Sequence, residues 1–111
     1  MAQKNWHTVM ESGALTLARR VPVRFDLAVV VMLPGGAKGR IARQVRQDMW
    51  RALRTLRGFS PAVRVADCDG GLEITAGGQV DGPLPRAWAE ARIAQVLNCP
   101  KNRARWQRWA A

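Results

Sequence analysis

The sequence predicts an α+β fold: a small antiparallel sheet with two helices packed on one face, in the order strand-helix-strand-strand-helix, a two-layer sandwich. Three observations carry that expectation. Residues 23–33 carry apolar side chains at period two, the mark of a strand. Residues 37–57 carry them at a period of 3.6, the mark of an amphipathic helix. Two short runs, 62–66 and 72–76, flank Asp67-Cys68-Asp69-Gly70-Gly71, whose glycines supply the positive φ of a hairpin turn.

The elements follow in order. Residues 1–22 are the hardest to assign. Thr8 and Glu11 have the spacing of a helical capping box, Gly13 weakens a helix, and Ala14-Leu15-Thr16-Leu17 reads as a strand over 14–20, closed by Pro22. In 23–33, Val23, Phe25, Leu27, Val29, Val31 and Leu33 share one face. Ala28, Val30 and Met32 make the other face apolar too, which predicts a central, covered strand. Pro34-Gly35-Gly36 breaks it. Ile41, Val45, Met49, Ala52, Leu53 and Leu56 then form the buried stripe of a helix that Gly58 and Pro61 terminate. Gly77-Gly78 is expected to end or bulge the strand after the hairpin. Asp81-Gly82-Pro83-Leu84-Pro85 leads into a helix that runs to about Asn98, carrying Trp88, Ile93, Val96 and Leu97. Residues 100–111 form a basic, Trp-containing tail.

At 111 residues the chain is one domain, and 48% hydrophobic content suffices for a core. Cys68 and Cys99 stand far apart with no second pair, which argues against a disulfide framework or a zinc site and predicts two reduced thiols in a cytoplasmic setting. The longest apolar run, 27–33, is too short for a membrane helix, and the first residues lack the apolar core of a secretory signal.

The net charge is +10, and it is unevenly placed. Residues 1–57 hold 11 basic and 3 acidic side chains, residues 58–100 hold 3 and 5, and residues 101–111 hold 4 and none. Around the helix of 37–57, with Ile41 set at zero, Trp50 falls at about 180°, opposite the apolar stripe. Arg43, Gln47 and Arg54 fall at about 200–240°, and Arg46 and Arg57 at about 140–160°. A solvated helix face usually mixes both signs, because like charges repel at these spacings. A face dominated by arginine suits an anionic partner, and guanidinium grips phosphate through paired hydrogen bonds.

These residues predict a non-enzymatic domain that binds RNA or DNA through the phosphate backbone. Its contacts are expected from Lys38, Arg40, Arg43, Arg46, Arg54 and Arg57, with Trp50 as a stacking residue and Arg103, Arg105 and Arg108 of the tail as auxiliary contacts. The alternative is a protein–protein adaptor or regulator whose Arg/Trp helix docks an acidic protein. At least one of the tail tryptophans, Trp106 and Trp109, is expected to pack back on the domain as an anchor, while the tail arginines extend the basic surface.

Three enzymatic or ligand readings are weaker. The loop Pro34–Arg40 is glycine-rich but lacks the spacing of a nucleotide-binding phosphate loop, so a single backbone phosphate suits it better. Asp67, Asp69 and Glu73 offer carboxylates to a metal-dependent nuclease, against their ordinary use in a turn. His7 is the lone histidine, and its position suggests no partner for acid–base or nucleophilic catalysis. No cofactor or metal is expected, and monomer and homodimer are both open.

Overall fold

The computed structural model describes residues 6–110. Five strands and three helices follow in the order β1 (His7–Glu11), β2 (Ala14–Ala18), β3 (Leu27–Leu33), α1 (Lys38–Leu53), β4 (Phe59–Cys68), β5 (Gly71–Val80), α2 (Arg86–Asn98) and α3 (Pro100–Ala110). The strands form one antiparallel sheet in the order β1-β2-β4-β5-β3. The helices pack against it, so the α+β two-layer arrangement stands, with three helices where two were expected and two strands ahead of the expected order, of which β2 matches the strand read at 14–20. No helix among the described residues is long and apolar enough to cross a membrane.

Register explains where the core lies. Leu17 pairs with Val63, which pairs with Ala76; Leu15 pairs with Val65, which pairs with Ile74. These rows face the helices. α1 lies across β2, β4 and β5, α2 lies against β3, and α3 packs on α1 and α2. Ile41, Val45, Met49 and Leu53, the stripe read from the 3.6 period, are wholly buried, as are Ile93 and Leu97 of α2 and Trp106 of α3.

Four local expectations are corrected. Residues 7–11 are a strand, not the start of a helix: Thr8 and Glu11 pair with Leu17 and Ala14 across the turn at Gly13. β3 is an edge strand rather than a central one. α2 covers the side of Leu27 and Leu33, while Val30 and Met32 on the other side stand 55% and 49% exposed. α1 ends at Leu53, not Arg57, because the chain turns to bury Leu56 and the Leu56 amide donates to the Leu53 carbonyl at 2.8 Å. β5 runs through Gly77 and Gly78 to Val80. A Cβ at Gly77 would lie 1.8 Å from the Leu27 carbonyl oxygen, and one at Gly78 would lie 2.1 Å from that of Ser60, so the pair lets β3 and β4 close on β5 from both sides.

The tail is a helix anchored at both ends. Arg103 donates to the Leu97 carbonyl at 3.0 Å and to the Met32 carbonyl at 2.5 Å, tying α2, α3 and β3 together. At the far end, Gln107 donates to the Gly35 carbonyl at 2.6 Å, and the Ala37 amide donates to the Ala110 carbonyl at 2.9 Å. These bonds fix the β3–α1 loop against α3.

Candidate functional site

The cations sort by whether a carboxylate meets them. Arg24 grips Asp26 through two bonds, at 2.8 and 2.9 Å, and Arg20 meets Asp81 at 2.5 Å. Lys38 meets Asp67 at 2.8 Å, Arg86 meets Glu90 at 3.6 Å, Arg64 approaches Glu11 at 4.0 Å, and Arg105 pairs with Asp48. Among the described residues, no ion pair involves Arg40, Arg43, Arg46, Arg51, Arg54 or Arg57. All six lie on α1 or in the turn that follows it. Asp48 of α1 turns to Arg105 and Asp67 meets only Lys38 at the helix start, so the outer side of α1 is left cationic.

Two depressions flank that helix. The first, of about 510 Å³, is lined by Trp6, Arg19, Arg20, Arg46, Trp50, Phe59, Ser60 and Pro61. The Arg46 guanidinium carbon stands 4.4 Å from the centre of the Trp6 ring, and that of Arg19 stands 5.7 Å from it. Both distances are within reach of a cation–π attraction. The Arg46 Nε is buried and has no hydrogen-bond partner among the described residues. Burial, with the nearby Arg43 charge second, pushes the Arg46 pKa down from its ordinary value. Trp50, about half exposed, borders the same space. The second depression is shallower and lies on the α3 side, lined by Arg40, Arg43, Gln44, Gln47 and Trp109. Trp109 is 63% exposed.

The expected contact residues divide accordingly. Arg40, Arg43, Arg46, Trp50, Arg54 and Arg57 lie on or just beyond α1, five of them exposed and Arg46 partly buried. Lys38 is on the same helix but is engaged by Asp67. In the tail, Arg103 caps the end of α2, and Arg105 is held by Asp48 and Gln44. Arg108 is exposed. Asp48 also accepts from the indole N–H of Trp106 at 2.8 Å, so one tail Trp is part of the core while the other faces solvent.

The remaining candidates have local roles. Asp67 is the partner of Lys38, and the described residues hold no group of three His, Cys, Asp or Glu side chains close enough to share a metal. Cys68 is a free thiol whose pKa is raised by burial first and then by Glu73, Asp69 and Asp67, which keeps it protonated and weakly nucleophilic. His7 is exposed on the outermost strand. In the β3–α1 loop, the Ala37 amide is committed to Ala110.

Sequence reasoning missed Trp6, Arg19 and Arg20 as neighbours of Arg46 and Trp50. Arg19 and Arg20 follow β2, and Trp6 precedes β1, so only strand pairing and the packing of α1 bring them together. The adjacent pair Arg19-Arg20 was the one local hint. The fold and site together define a small α+β domain with a cationic, tryptophan-flanked helix. Comparison with family models, curated proteins and solved structures found no match.

Proposed function

We propose that this chain is a non-enzymatic nucleic-acid-binding protein, for RNA or DNA, that grips the phosphate backbone through the arginines of α1. The observation that carries the reading is the set of six arginines on and just after α1 that no carboxylate meets among the described residues. Neighbouring guanidinium groups repel, and phosphates offer the charge and the geometry to neutralise them. Arg40, Arg43, Arg46 and Arg54 are the principal contacts, Arg57 extends them, and Trp50 and Trp109 flank them with exposed indole. Arg108 is the tail's free contribution. Free Cys68 and Cys99 support a cytoplasmic setting for this activity.

Fluorescence anisotropy with mixed-sequence RNA, single-stranded DNA and duplex DNA across a salt series tests the reading. Each neutralised phosphate contributes a slope of roughly −0.7 in log K against log salt for a single strand and roughly −0.9 for a duplex. Four engaged arginines therefore predict a slope of about −3 on a single strand. A folded Arg43→Glu/Arg54→Glu variant should lose at least about 1.4 of that slope and most of its low-salt affinity. Failure of the wild type to bind any of the three at low salt would refute the proposal and move the search to an acidic protein partner.

A further inference from the structure

We propose that the depression between Trp6 and Trp50 receives one unpaired nucleotide, its base against an indole and its phosphate against Arg46 and Arg19, so that the protein prefers single strands over duplexes. The inference deepens the nucleic-acid reading and rests on it.

The arrangement of charge is the first argument. Of the three arginines in this space, Arg20 is neutralised by Asp81, whereas Arg19 and Arg46 have no carboxylate within reach among the described residues. Both unneutralised guanidinium groups crowd one indole. Among the described residues the buried Arg46 Nε has no hydrogen-bond partner, which costs free energy in the unliganded protein. An anion entering the depression would meet two cations that no carboxylate neutralises among the described residues.

The aromatic lining is the second argument. Trp50 sits at the rim, half exposed, and Phe59 lines the same space. A cavity of about 510 Å³ falls within the range of sites that enclose a small organic ligand. A simple phosphate needs no aromatic wall, whereas a nucleobase has a flat face that stacks on one. In a duplex that face is covered by neighbouring bases, so only an unpaired base can use the wall. The second depression, with Trp109 and Arg40, lies on the α3 side of the same helix. From Arg40 to Trp50 the helix rises roughly 15 Å, the length of four to five stacked nucleotides at about 3.4 Å each.

The test compares four fluorescein-labelled octamers: mixed-sequence single-stranded RNA, the same sequence as single-stranded DNA, the matching duplex, and a single strand with every base removed. The abasic strand retains the phosphates and lacks the bases. The wild type should bind at least one base-bearing single strand about tenfold more tightly than the abasic strand, and more tightly than the duplex. Trp50→Ala should remove most of the preference for bases while leaving abasic binding within about twofold. Trp50 is half exposed, so this variant keeps the core, and far-UV circular dichroism verifies its fold. Trp6→Ala should act in the same direction, and Trp50→Ala decides the matter if Trp6→Ala unfolds.

Equal binding of abasic and base-bearing strands would overturn the inference. So would duplex binding as tight as single-strand binding, or a Trp50→Ala variant that keeps the wild-type preference. In each of those cases salt-dependent binding lost in Arg43→Glu/Arg54→Glu would leave the broader reading intact. Absence of binding to all four probes would remove both.

Discussion

Asp48 ties α1 to α3, and its removal has a calculable cost. Its carboxylate accepts from the Trp106 indole N–H at 2.8 Å and pairs with Arg105. Trp106 is wholly buried, so its N–H has no water to turn to. Asp48→Ala strands that donor, at about 1–3 kcal/mol. The Arg105 side chain remains 36% exposed and recovers hydration, so the lost ion pair adds only about 0.5–1 kcal/mol. The expected total is roughly 1.5–4 kcal/mol, or a Tm lower by at least about 6 °C for a domain of this size. Asp48→Asn keeps an oxygen acceptor for the indole and loses only the charge, so it should cost about 1 kcal/mol or less. Urea unfolding of the three proteins, followed by circular dichroism, measures both differences. If Asp48→Ala and Asp48→Asn are equally destabilised, or both fall within about 0.5 kcal/mol of wild type, the indole–carboxylate bond does not hold the helix and the reasoning fails.

Two further perturbations probe the frame around the site. Gly58→Ala should destabilise by at least about 1–3 kcal/mol, because φ is +72° there and an added Cβ would lie 2.0 Å from the Asp81 carbonyl oxygen. Gly70→Ala, at a positive φ but in open space, should cost less in the same denaturation experiment. The Arg20–Asp81 and Arg24–Asp26 contacts predict acid sensitivity. The Asp26 pKa is lowered by its bonds from Arg24 and the Val80 amide, and that of Asp81 by its bonds from Gln79 and Arg20. Groups depressed in the folded state bind more protons when unfolded, so their contribution is full above an aspartate's ordinary pKa of about 3.9 and fades as pH falls below it. Midpoints measured from pH 6 to pH 2 should drop across that acid range, and the drop should shrink in an Asp26→Asn/Asp81→Asn variant.

The sequence made some of this architecture legible and hid the rest for identifiable reasons. The stripe of Ile41, Val45, Met49 and Leu53 was plain because one helix face is wholly buried and the opposite one is charged. The β4–β5 hairpin was plain from its turn residues. β1 was hidden because all five of its residues are exposed, leaving no buried alternation to read, while Thr8 and Glu11 happen to fit a helix start. β3 was misplaced because an apolar run reads the same at a sheet's centre and at an edge covered on one side. The cationic face of α1 was read directly from residue spacing. The depression beside it was not, since Trp6 and Arg46 are separated by 40 positions and meet only through β1–β2–β4 pairing and the packing of α1 on that sheet. Arg103 and Arg105 looked like the other tail cations until their acceptors, a carbonyl at the end of α2 and the Asp48 carboxylate, were known.

The energetics of α1 bear on why its arginines are there at all. Arg40 with Arg43, Arg43 with Arg46, and Arg51 with Arg54 are like charges three positions apart, each costing about 0.2–0.5 kcal/mol. Together they oppose helix formation by roughly 1 kcal/mol. Each buried aliphatic of the opposite stripe contributes about 1.5–3 kcal/mol, and Ile41, Val45, Met49 and Leu53 are all at 0% exposure, so the fold tolerates the repulsion easily. Tolerance is not a cause, however. Glutamate at any of these outer positions would convert a repulsive pair into an attractive one without touching the core. The chain does place carboxylates against other cations: Arg20, Arg24, Arg86 and Arg105 outside α1, and Lys38 at its first residue. On α1 its one acidic residue, Asp48, faces inward to α3 rather than outward to the arginines. Folding stability therefore does not account for the charge on this face, and that gap is the physical ground for proposing an anionic partner that relieves the repulsion on binding.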